Sequence, residues 1–369
     1  MIIRKSFIGN FLFEPMVDKS KFLIEGQKMT HDSQFIVGLD IGYSNVKIAC
    51  GTSKSFEPSL SVYPAYATSE PETDLALAKK SEHELKVFPN GNEWRVFINR
   101  VGHRELHDKY HSSEMYMALF YGALLKATEG RSTDVIDVLV TGLPVRIANS
   151  DDERKHLSEQ LTGRHEVTPG RFILVKEVAV LSQGVGIMND VLNRDGLISD
   201  DDVEFSNILV IDPGYYSLDY VTFVRGDRQR QFSGSNLNAA SVIIEEMART
   251  YEQENPSEGA LENERIETAF RRGDKTFNNG FRNVEIAPLI EKVTPRIAGV
   301  VVAELLNRTR SIGPIHIIIS AGGGSSFYNE PIKEAFKTAR VIQSPNPVAS
   351  NSIGYWHYGA ETSNSDSSQ

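Results

Sequence analysis

The sequence predicts a two-domain α/β protein with a ligand-binding cleft between its halves, and three observations support this prediction. The chain has 369 residues, a common length for two domains. Two apolar strands, at 35–40 and 208–212, each end in an aspartate that is followed by a glycine-bearing turn and a returning strand. A third apolar strand, at 315–320, opens onto the glycine triplet 322–324.

The first acidic turn is Asp40-Ile41-Gly42-Tyr43-Ser44-Asn45, and the strand after it carries Lys47. Glycine lets the backbone approach a phosphate closely, and the N–H groups of such a turn can bind its oxygens. A carboxylate cannot approach phosphate favourably except through Mg²⁺ and its waters. The ammonium group of Lys47 can lie on the β- or γ-phosphate. A single Asp-x-Gly turn is common in ordinary hairpins, so the interpretation depends on its repetition.

The second acidic turn is Asp212-Pro213-Gly214-Tyr215-Tyr216-Ser217, and Asp219 on the returning strand is expected to brace that strand. Two such turns on facing walls would form a clamp for Mg-ATP, in which Asp40 and Asp212 bind the metal through water. The glycine triplet could lie flat against a ribose or an adenine because no side chain projects from it. The alternative for the triplet is an ordinary tight strand-to-helix turn.

Composition restricts the class of function. The chain is 40% hydrophobic and 24% charged, as in soluble globular proteins, and no apolar run approaches the ~20 residues of a membrane span. The single cysteine, Cys50, excludes an internal disulfide and is typical of the reducing cytoplasm, where we expect the protein. A net charge of −10 argues against a broad DNA-binding face, so any action on DNA would require an adaptor protein.

These turns carry a family resemblance. Residues 40–47 resemble the first phosphate motif of the actin/Hsp70/sugar-kinase superfamily, residues 212–219 its second phosphate motif, and residues 320–324 its adenosine motif. Glu177 resembles the leading acid of the first connecting helix, and Gly354 fits the second connecting helix. Within the superfamily, the tyrosine-bearing turns are most similar to those of the plasmid-segregating ParM/StbA-type bacterial actins.

The resemblance implies an actin-like (ribonuclease H-like) ATPase fold with ATP and Mg²⁺ as cofactors. Asp40 and Asp212 would act in catalysis as metal-positioning residues, and Glu177, at the start of a helix expected over 177–188, would orient the attacking water. The alternative for Glu177 is a helix N-terminal acid stabilised by the helix dipole. The residues expected to bind the nucleotide are Gly42, Tyr43, Ser44, Asn45, Lys47, Gly214, Tyr215, Tyr216, Gly322, Gly323 and Gly324.

The same resemblance gives the expected domain bounds. The first domain is expected at residues 34–190, with residues 345–360 returning to it, and the second at 206–344. Residues 1–33 are expected to be a poorly ordered extension, with membrane contact or a misassigned start as alternatives. Residues 361–369 are expected to be a disordered tail.

Two groups of charged or titratable residues are assigned no role in the site. Arg271, Arg272 and Lys275 are expected on a solvated face. His103, His107 and His111 are spaced by four residues, but no acidic cluster accompanies them, so they are not expected to bind metal.

The implied function is a filament-forming ATPase that assembles head to tail with copies of itself and moves plasmid DNA through an adaptor protein, without membrane partners. Two alternatives stay open at this point. One is a metabolic kinase of the same fold, although no sugar-binding motif is evident. The other is a slowly hydrolysing, nucleotide-dependent scaffold, which Tyr215 and Tyr216 favour because bulky side chains there could crowd the γ-phosphate.

Overall fold

The computed structural model describes residues 33–70, 81–98, 107, 109–259 and 261–366. In this part of the chain, two mixed β-sheets form the cores of two halves, and helices pack on both faces of each sheet.

The first half contains two sheets. Its strands are β1 (Phe35–Ile41), β2 (Asn45–Thr52), β3 (Ser59–Pro64), β4 (Ala67–Thr68), β5 (Leu85–Val87), β6 (Trp94–Val96), β7 (Val135–Leu143), β8 (Gly163–Thr168) and β9 (Arg171–Ser182). The main sheet has the order β3-β2-β1-β7-β9-β8, and a small sheet has the order β4-β6-β5. β1 pairs antiparallel with β2 and parallel with β7. The first acidic turn, which follows β1, therefore lies at the end of the sheet where β1 and β7 both terminate.

The helices of the first half connect and cover these strands. They are α1 (Glu114–Ala127), α2 (Val145–Ala148), α3 (Asp151–Leu161) and α4 (Val185–Leu192), with 3-10 turns at Pro89–Gly91 and Tyr110–Ser112. α1 begins at an N-cap, since the Ser113 side chain accepts a hydrogen bond from the backbone N–H of Tyr116. Its apolar residues fill the outer face of the main sheet.

The second half repeats the arrangement. Its strands are β10 (Asn207–Pro213), β11 (Leu218–Val224), β12 (Asp227–Arg228), β13 (Gly234–Asn236), β14 (Thr276–Asn278), β15 (Asn283–Glu285), β16 (Ile317–Ser320) and β17 (Arg340–Gln343). The main sheet has the order β12-β11-β10-β16-β17, with β13 paired to β11, while β14 and β15 form a separate hairpin. β10 pairs antiparallel with β11 and parallel with β16, as β1 does with β2 and β7.

The remaining helices are α5 (Asp200–Phe205), α6 (Ala240–Glu254), α7 (Asn263–Arg272), α8 (Ala287–Thr309), α9 (Ser325–Ala335) and α10 (Ser350–Asp366), with 3-10 turns at Arg230–Phe232, Pro256–Glu258 and Arg310–Ile312. α8 continues through Pro295. Among the described residues, no helix combines the length and the apolar character needed to cross a bilayer.

The central strands are apolar throughout because both of their faces are buried. In β10, Leu209 and Ile211 face the helices of the second half, whereas Ile208 and Val210 pack on the opposite face of the sheet against α4. This burial on two sides is the arrangement that continuous apolar runs predict for parallel-sheet strands. The acidic residue at the end of the run, Asp212, is therefore carried into a buried position.

Two helices connect the halves, and each packs on the sheet of the half opposite to the one that precedes it in the chain. α4 follows the first sheet in the chain but packs on the inner face of the second sheet, and α10 follows the second sheet but packs on the inner face of the first. The two helices cross at Gly186 and Gly354. A Cβ at Gly354 would lie 1.7 Å from the Gly186 carbonyl oxygen, so the crossing tolerates no side chain.

Two expectations from the sequence are wrong. The helix expected over 177–188 is strand β9 as far as Ser182, and α4 begins only at Val185. Side chains in β9 largely alternate between buried and exposed, which is the period of a strand with one face buried and the other exposed. The tail expected to be disordered from 361 is helical to Asp366, since α10 continues along the first sheet; residues 367–369, like the extension at 1–32, lie outside the described residues.

The helix crossing yields a stability prediction. Gly354→Ala should lower the free energy of unfolding by about 3 kcal/mol or more, because its methyl group has no space at the crossing. Gly299→Ala is the matched control: Gly299 lies in α8 with open space around its Cα, so helix propensity should leave stability unchanged or raise it by up to about 1 kcal/mol. Urea denaturation measures both, and equal losses in the two variants would contradict the packing argument.

Candidate functional site

A cavity of about 480 Å³ lies between the two halves. All the residues predicted to bind nucleotide or metal line this cavity: Asp40, Gly42, Tyr43, Ser44, Asn45, Lys47, Asp212, Gly214, Tyr215, Tyr216, Gly322, Gly323 and Gly324. They come from the β1–β2 turn, the β10–β11 turn and the loop after β16. The fold thus brings three segments that are far apart in sequence around one space.

The β1–β2 turn is tight. The backbone N–H of Gly42 donates to the carbonyl of Asn45 at 3.0 Å. The antiparallel register places Asp40 opposite Lys47, and the Lys47 Nζ lies 3.0 Å from Asp40 Oδ2. The ammonium group therefore lies on the cavity wall beside the carboxylate, where it offsets part of the negative charge.

The β10–β11 turn is held against the glycine triplet. Gly214 N–H donates to the Ser217 carbonyl at 2.8 Å, and Gly324 N–H donates to the Pro213 carbonyl at 2.8 Å. Gly322 has φ +87°, and a Cβ there would lie 2.4 Å from Asp212 Oδ1, so both its conformation and its surroundings require glycine. Gly323 has open space around its Cα and leaves part of the loop surface free on the cavity wall.

Negative charge is concentrated where the two turns meet. Burial is the main cause that raises the pKa of Asp212 to about 7, and the charges of Asp40 and Asp219 add to it. Lys47 lowers this pKa, as does Asn351, whose Nδ2 donates to Asp212 Oδ2 at 2.6 Å. The site therefore holds more negative charge than its own residues offset, and a cation would relieve the excess.

The oxygen donors fit a hydrated magnesium ion. Asp40 and Asp212 provide carboxylates from opposite walls of the cavity, and Mg²⁺ typically takes one or two carboxylates and keeps several waters. Across the residues that the structure describes, no group of three or more His, Cys, Asp or Glu side chains could hold a metal ion directly.

Asp219 braces the junction between the halves. Its Oδ1 accepts a hydrogen bond from the backbone N–H of Val145 at 2.6 Å, and its Oδ2 accepts one from Ser217 Oγ at 2.7 Å. The pKa of Asp219 is raised by burial, while these donors and Ser235 lower it. Since Val145 starts α2 in the first half, Asp219 ties that half to the second acidic turn.

The structure does not support the role predicted for Glu177. Glu177 is exposed in the middle of β9 and does not line the cavity, because the strand continues for five further residues. The residue that follows the strand, Gln183, lines the cavity, and its Nε2 lies 3.4 Å from Asp40 Oδ1. The alternating pattern of β9 and the Gln-Gly pair after it were the signals that could have identified Gln183.

The second half contributes side chains that the sequence analysis had placed in solvent. Arg271 of α7 lines the cavity together with Glu267, and its guanidinium lies 5.8 Å from the Tyr66 ring of the first half. Glu267 Oε1 accepts a hydrogen bond from Ser44 Oγ at 2.9 Å. Arg272, in contrast, is exposed. The amphipathic pattern of α7 was the signal that one of its faces turns inward.

The histidines behave differently from one another. His111 is buried at the cavity wall, 3.0 Å from Glu153 Oε2 through its Nε2, whereas His107 is exposed. His103 lies outside the described residues. Because residue 107 is not in a helix, the four-residue spacing does not align the described pair.

The fold is similar to that of known proteins. Residues 38–186 match the family of actin-like proteins, N-terminal domain. The archaeal actin homolog Ta0583 in complex with ADP superposes with a TM-score of 0.70 at 17% identity, covering 89% of this chain and 100% of that chain. Actin-like protein Alp7A gives 0.68 at 15% identity, covering 91% and 99%. The ParM filament structure from Clostridium botulinum gives 0.66 at 17% identity, covering 89% and 99%.

These likenesses confirm the predicted fold class, a two-domain α/β fold of the actin type with a cleft between its halves. Residues 38–186 are thus similar to the N-terminal domain of actin-like proteins, and the chain has the fold of the actin homologs. A search of curated proteins finds no significant match to the sequence.

The raised pKa of Asp212 yields a prediction about stability and pH. Because the folded pKa exceeds the unfolded value, the ionised carboxylate destabilises the fold, and this penalty accumulates between about pH 4 and pH 7. Asp212→Asn should therefore raise the free energy of unfolding by about 1 to 3 kcal/mol at pH 8, and by less at pH 5. Urea denaturation at the two pH values, without magnesium or nucleotide, measures the difference.

Asp202 provides a control of opposite sign. Burial acts to raise the pKa of Asp202, but the hydrogen bonds from Ser199 and Arg340 outweigh it, so the pKa is lowered. Asp202→Asn should therefore lose stability at pH 8, and this loss should shrink only as the pH falls below about 4. If Asp212→Asn were also destabilised at pH 8, the argument for excess negative charge in the cavity would be wrong.

Proposed function

We propose that this protein binds Mg-ATP in the cavity between its halves, hydrolyses it, and assembles into nucleotide-dependent filaments. The observation that carries the proposal is the meeting of two acidic turns and a glycine triplet around one cavity. The ADP complex of the archaeal actin homolog, which has the same fold, supports nucleotide binding. The proposed cofactors are ATP and Mg²⁺.

The residues of the two turns would share the work of binding. The turns following Asp40 and Asp212 would bind the phosphates through backbone N–H groups, and Lys47 would offset phosphate charge. When bound, the metal would neutralise charge between the nucleotide and the two aspartates. Asp40 and Asp212 would hold it through water, and Asn351 and Lys47 would keep the two carboxylates oriented.

Gln183 is the residue that we propose for orienting the attacking water, in place of Glu177. It lies at the cavity beside Asp40, and its amide can both donate to and accept from a water. An amide is a poor general base, so its contribution would be orientation and not proton removal. Turnover by such a site would be slow compared with that of an enzyme with a carboxylate base at this point.

The two candidates can be separated by one pair of variants. Gln183→Ala should lower kcat for ATP hydrolysis roughly 10²-fold, with ATP affinity nearly unchanged, because the water loses its orienting group. Glu177→Ala should leave kcat unchanged, since Glu177 is exposed on β9. Steady-state phosphate release measures both. Loss of turnover in Glu177→Ala alone would overturn the assignment.

Filament formation is supported by relatives. The solved structures with this fold include a 15-stranded ParM filament and a ParM mutant described as non-polymerisable. We propose head-to-tail contacts between copies of the chain, which generate open filaments when the interface is heterologous. Plasmid DNA would be reached through an adaptor protein in the cytoplasm, consistent with the net charge of −10.

Sedimentation tests assembly directly. The protein should pellet with Mg-ATP and stay in the supernatant without nucleotide, and Asp40→Asn should pellet much less because it removes one metal-positioning carboxylate. Electron microscopy of the pellet distinguishes filaments from aggregates. Equal pelleting of the protein with and without nucleotide would contradict nucleotide-dependent assembly.

A scaffold that hydrolyses ATP slowly remains the second candidate. The observation that favours it is the contact between Tyr43 and Tyr216 at the cavity, with ring centroids 4.7 Å apart. Nucleotide-dependent assembly with negligible phosphate release would identify this function.

A further inference from the structure

Four tyrosine rings form a continuous row across the phosphate end of the cavity. The centroid of Tyr216 lies 4.7 Å from that of Tyr43, which lies 4.7 Å from that of Tyr110. Tyr110 in turn meets the edge of Tyr116 at 5.5 Å. These separations are those of rings in direct contact. All four tyrosines line the cavity.

The row is anchored in one half and crosses to the other by a single ring. Tyr110 and Tyr116 are buried in the core of the first half, and Tyr43 donates a hydrogen bond from its hydroxyl to the His107 carbonyl at 2.9 Å. Tyr216 belongs to the second half, on the tight turn closed by Gly214 and Ser217. The contact between Tyr43 and Tyr216 therefore joins the two acidic turns directly.

The neighbouring tyrosine does not share this role. Tyr215 packs against the hydrophobic core of the second half, so it contributes to the stability of its own domain. Of the two adjacent tyrosines, Tyr216 is the one whose ring touches the opposite wall. Its ring can therefore be removed with little expected effect on the core.

We propose that the Tyr43–Tyr216 contact closes the phosphate end of the cleft and competes with the terminal phosphate of a nucleoside triphosphate. This inference rests on the proposed function for its ligand. A terminal phosphate bound by both turns needs the space between them, where the two rings are in contact. A diphosphate lacks this terminal group, so its binding does not require the two rings to separate. Tyr216 is thus a specificity-determining residue that favours the diphosphate.

Two hydrogen bonds also join the halves near this contact. Ser44 and Glu267 join the turn to α7, and Asp219 and Val145 join the halves at α2. The ring contact adds to these hydrogen bonds in holding the two halves together.

The test compares two nucleotides on three forms of the full chain. ADP and β,γ-imido-ATP are titrated with Mg²⁺ into the unmodified protein, Tyr216→Ala and Tyr216→Phe. In Tyr216→Ala, affinity for the imido triphosphate relative to ADP should rise roughly 3- to 10-fold, the range that one aromatic contact supports. Tyr216→Phe keeps the ring and should retain the ratio of the unmodified protein. An unchanged ratio in Tyr216→Ala, or an equal change in both variants, would overturn the proposal.

A second measurement needs no nucleotide. If the rings hold the cleft closed, Tyr216→Ala should have a larger radius of gyration by small-angle X-ray scattering than the unmodified protein and Tyr216→Phe. Identical radii of gyration for all three forms would contradict a role of the ring contact in closing the cleft. If no nucleotide binds to any form, the proposed function fails, and the scattering comparison still decides whether the contact closes the cleft.

Discussion

The constraint on which this structure depends is the approach of two buried carboxylates, Asp40 and Asp212, from opposite halves. The raised pKa of Asp212 disfavours its ionised form at neutral pH by about 1 to 3 kcal/mol. An aromatic pair such as Tyr43 and Tyr216 contributes only about 0.5 to 1.5 kcal/mol beyond its burial. The contact between the rings is therefore too weak to offset the cost of ionising Asp212. A bound cation could offset this cost.

The two connecting helices, α4 and α10, place polar groups beside these carboxylates. Gln183 and Gly184 lie just before α4, and Asn351 lies in the first turn of α10. Asn351 donates to Asp212 and accepts a hydrogen bond from the Gly184 N–H at 3.0 Å, so the start of one helix positions the start of the other. The close crossing at Gly354 fixes this arrangement, and any shift between the halves is transmitted to the cavity.

Much of the fold and most of the cavity lining could be predicted from the sequence, because the two strand–aspartate–turn units combine burial on both faces with glycine-bearing turns. Glu177 was misassigned because a family resemblance was placed on a segment whose alternating burial belongs to a strand. Arg271 was placed in solvent because composition alone does not show which face of a charged helix turns inward. Contacts between distant segments, such as Ser44 with Glu267, have no local signal at all.

The fold is shared with proteins of 15–19% identity, so the identity of the residues at the turns matters more for function than the architecture does. Backbone geometry places N–H groups and carboxylates, and it is set by glycines such as Gly322, where a side chain would collide with Asp212. Tyr43 and Tyr216 are different, since the turns could form without their rings. Such side chains meet across the cleft although the fold does not require them. Proteins of this fold can therefore differ at these positions in their response to a ligand.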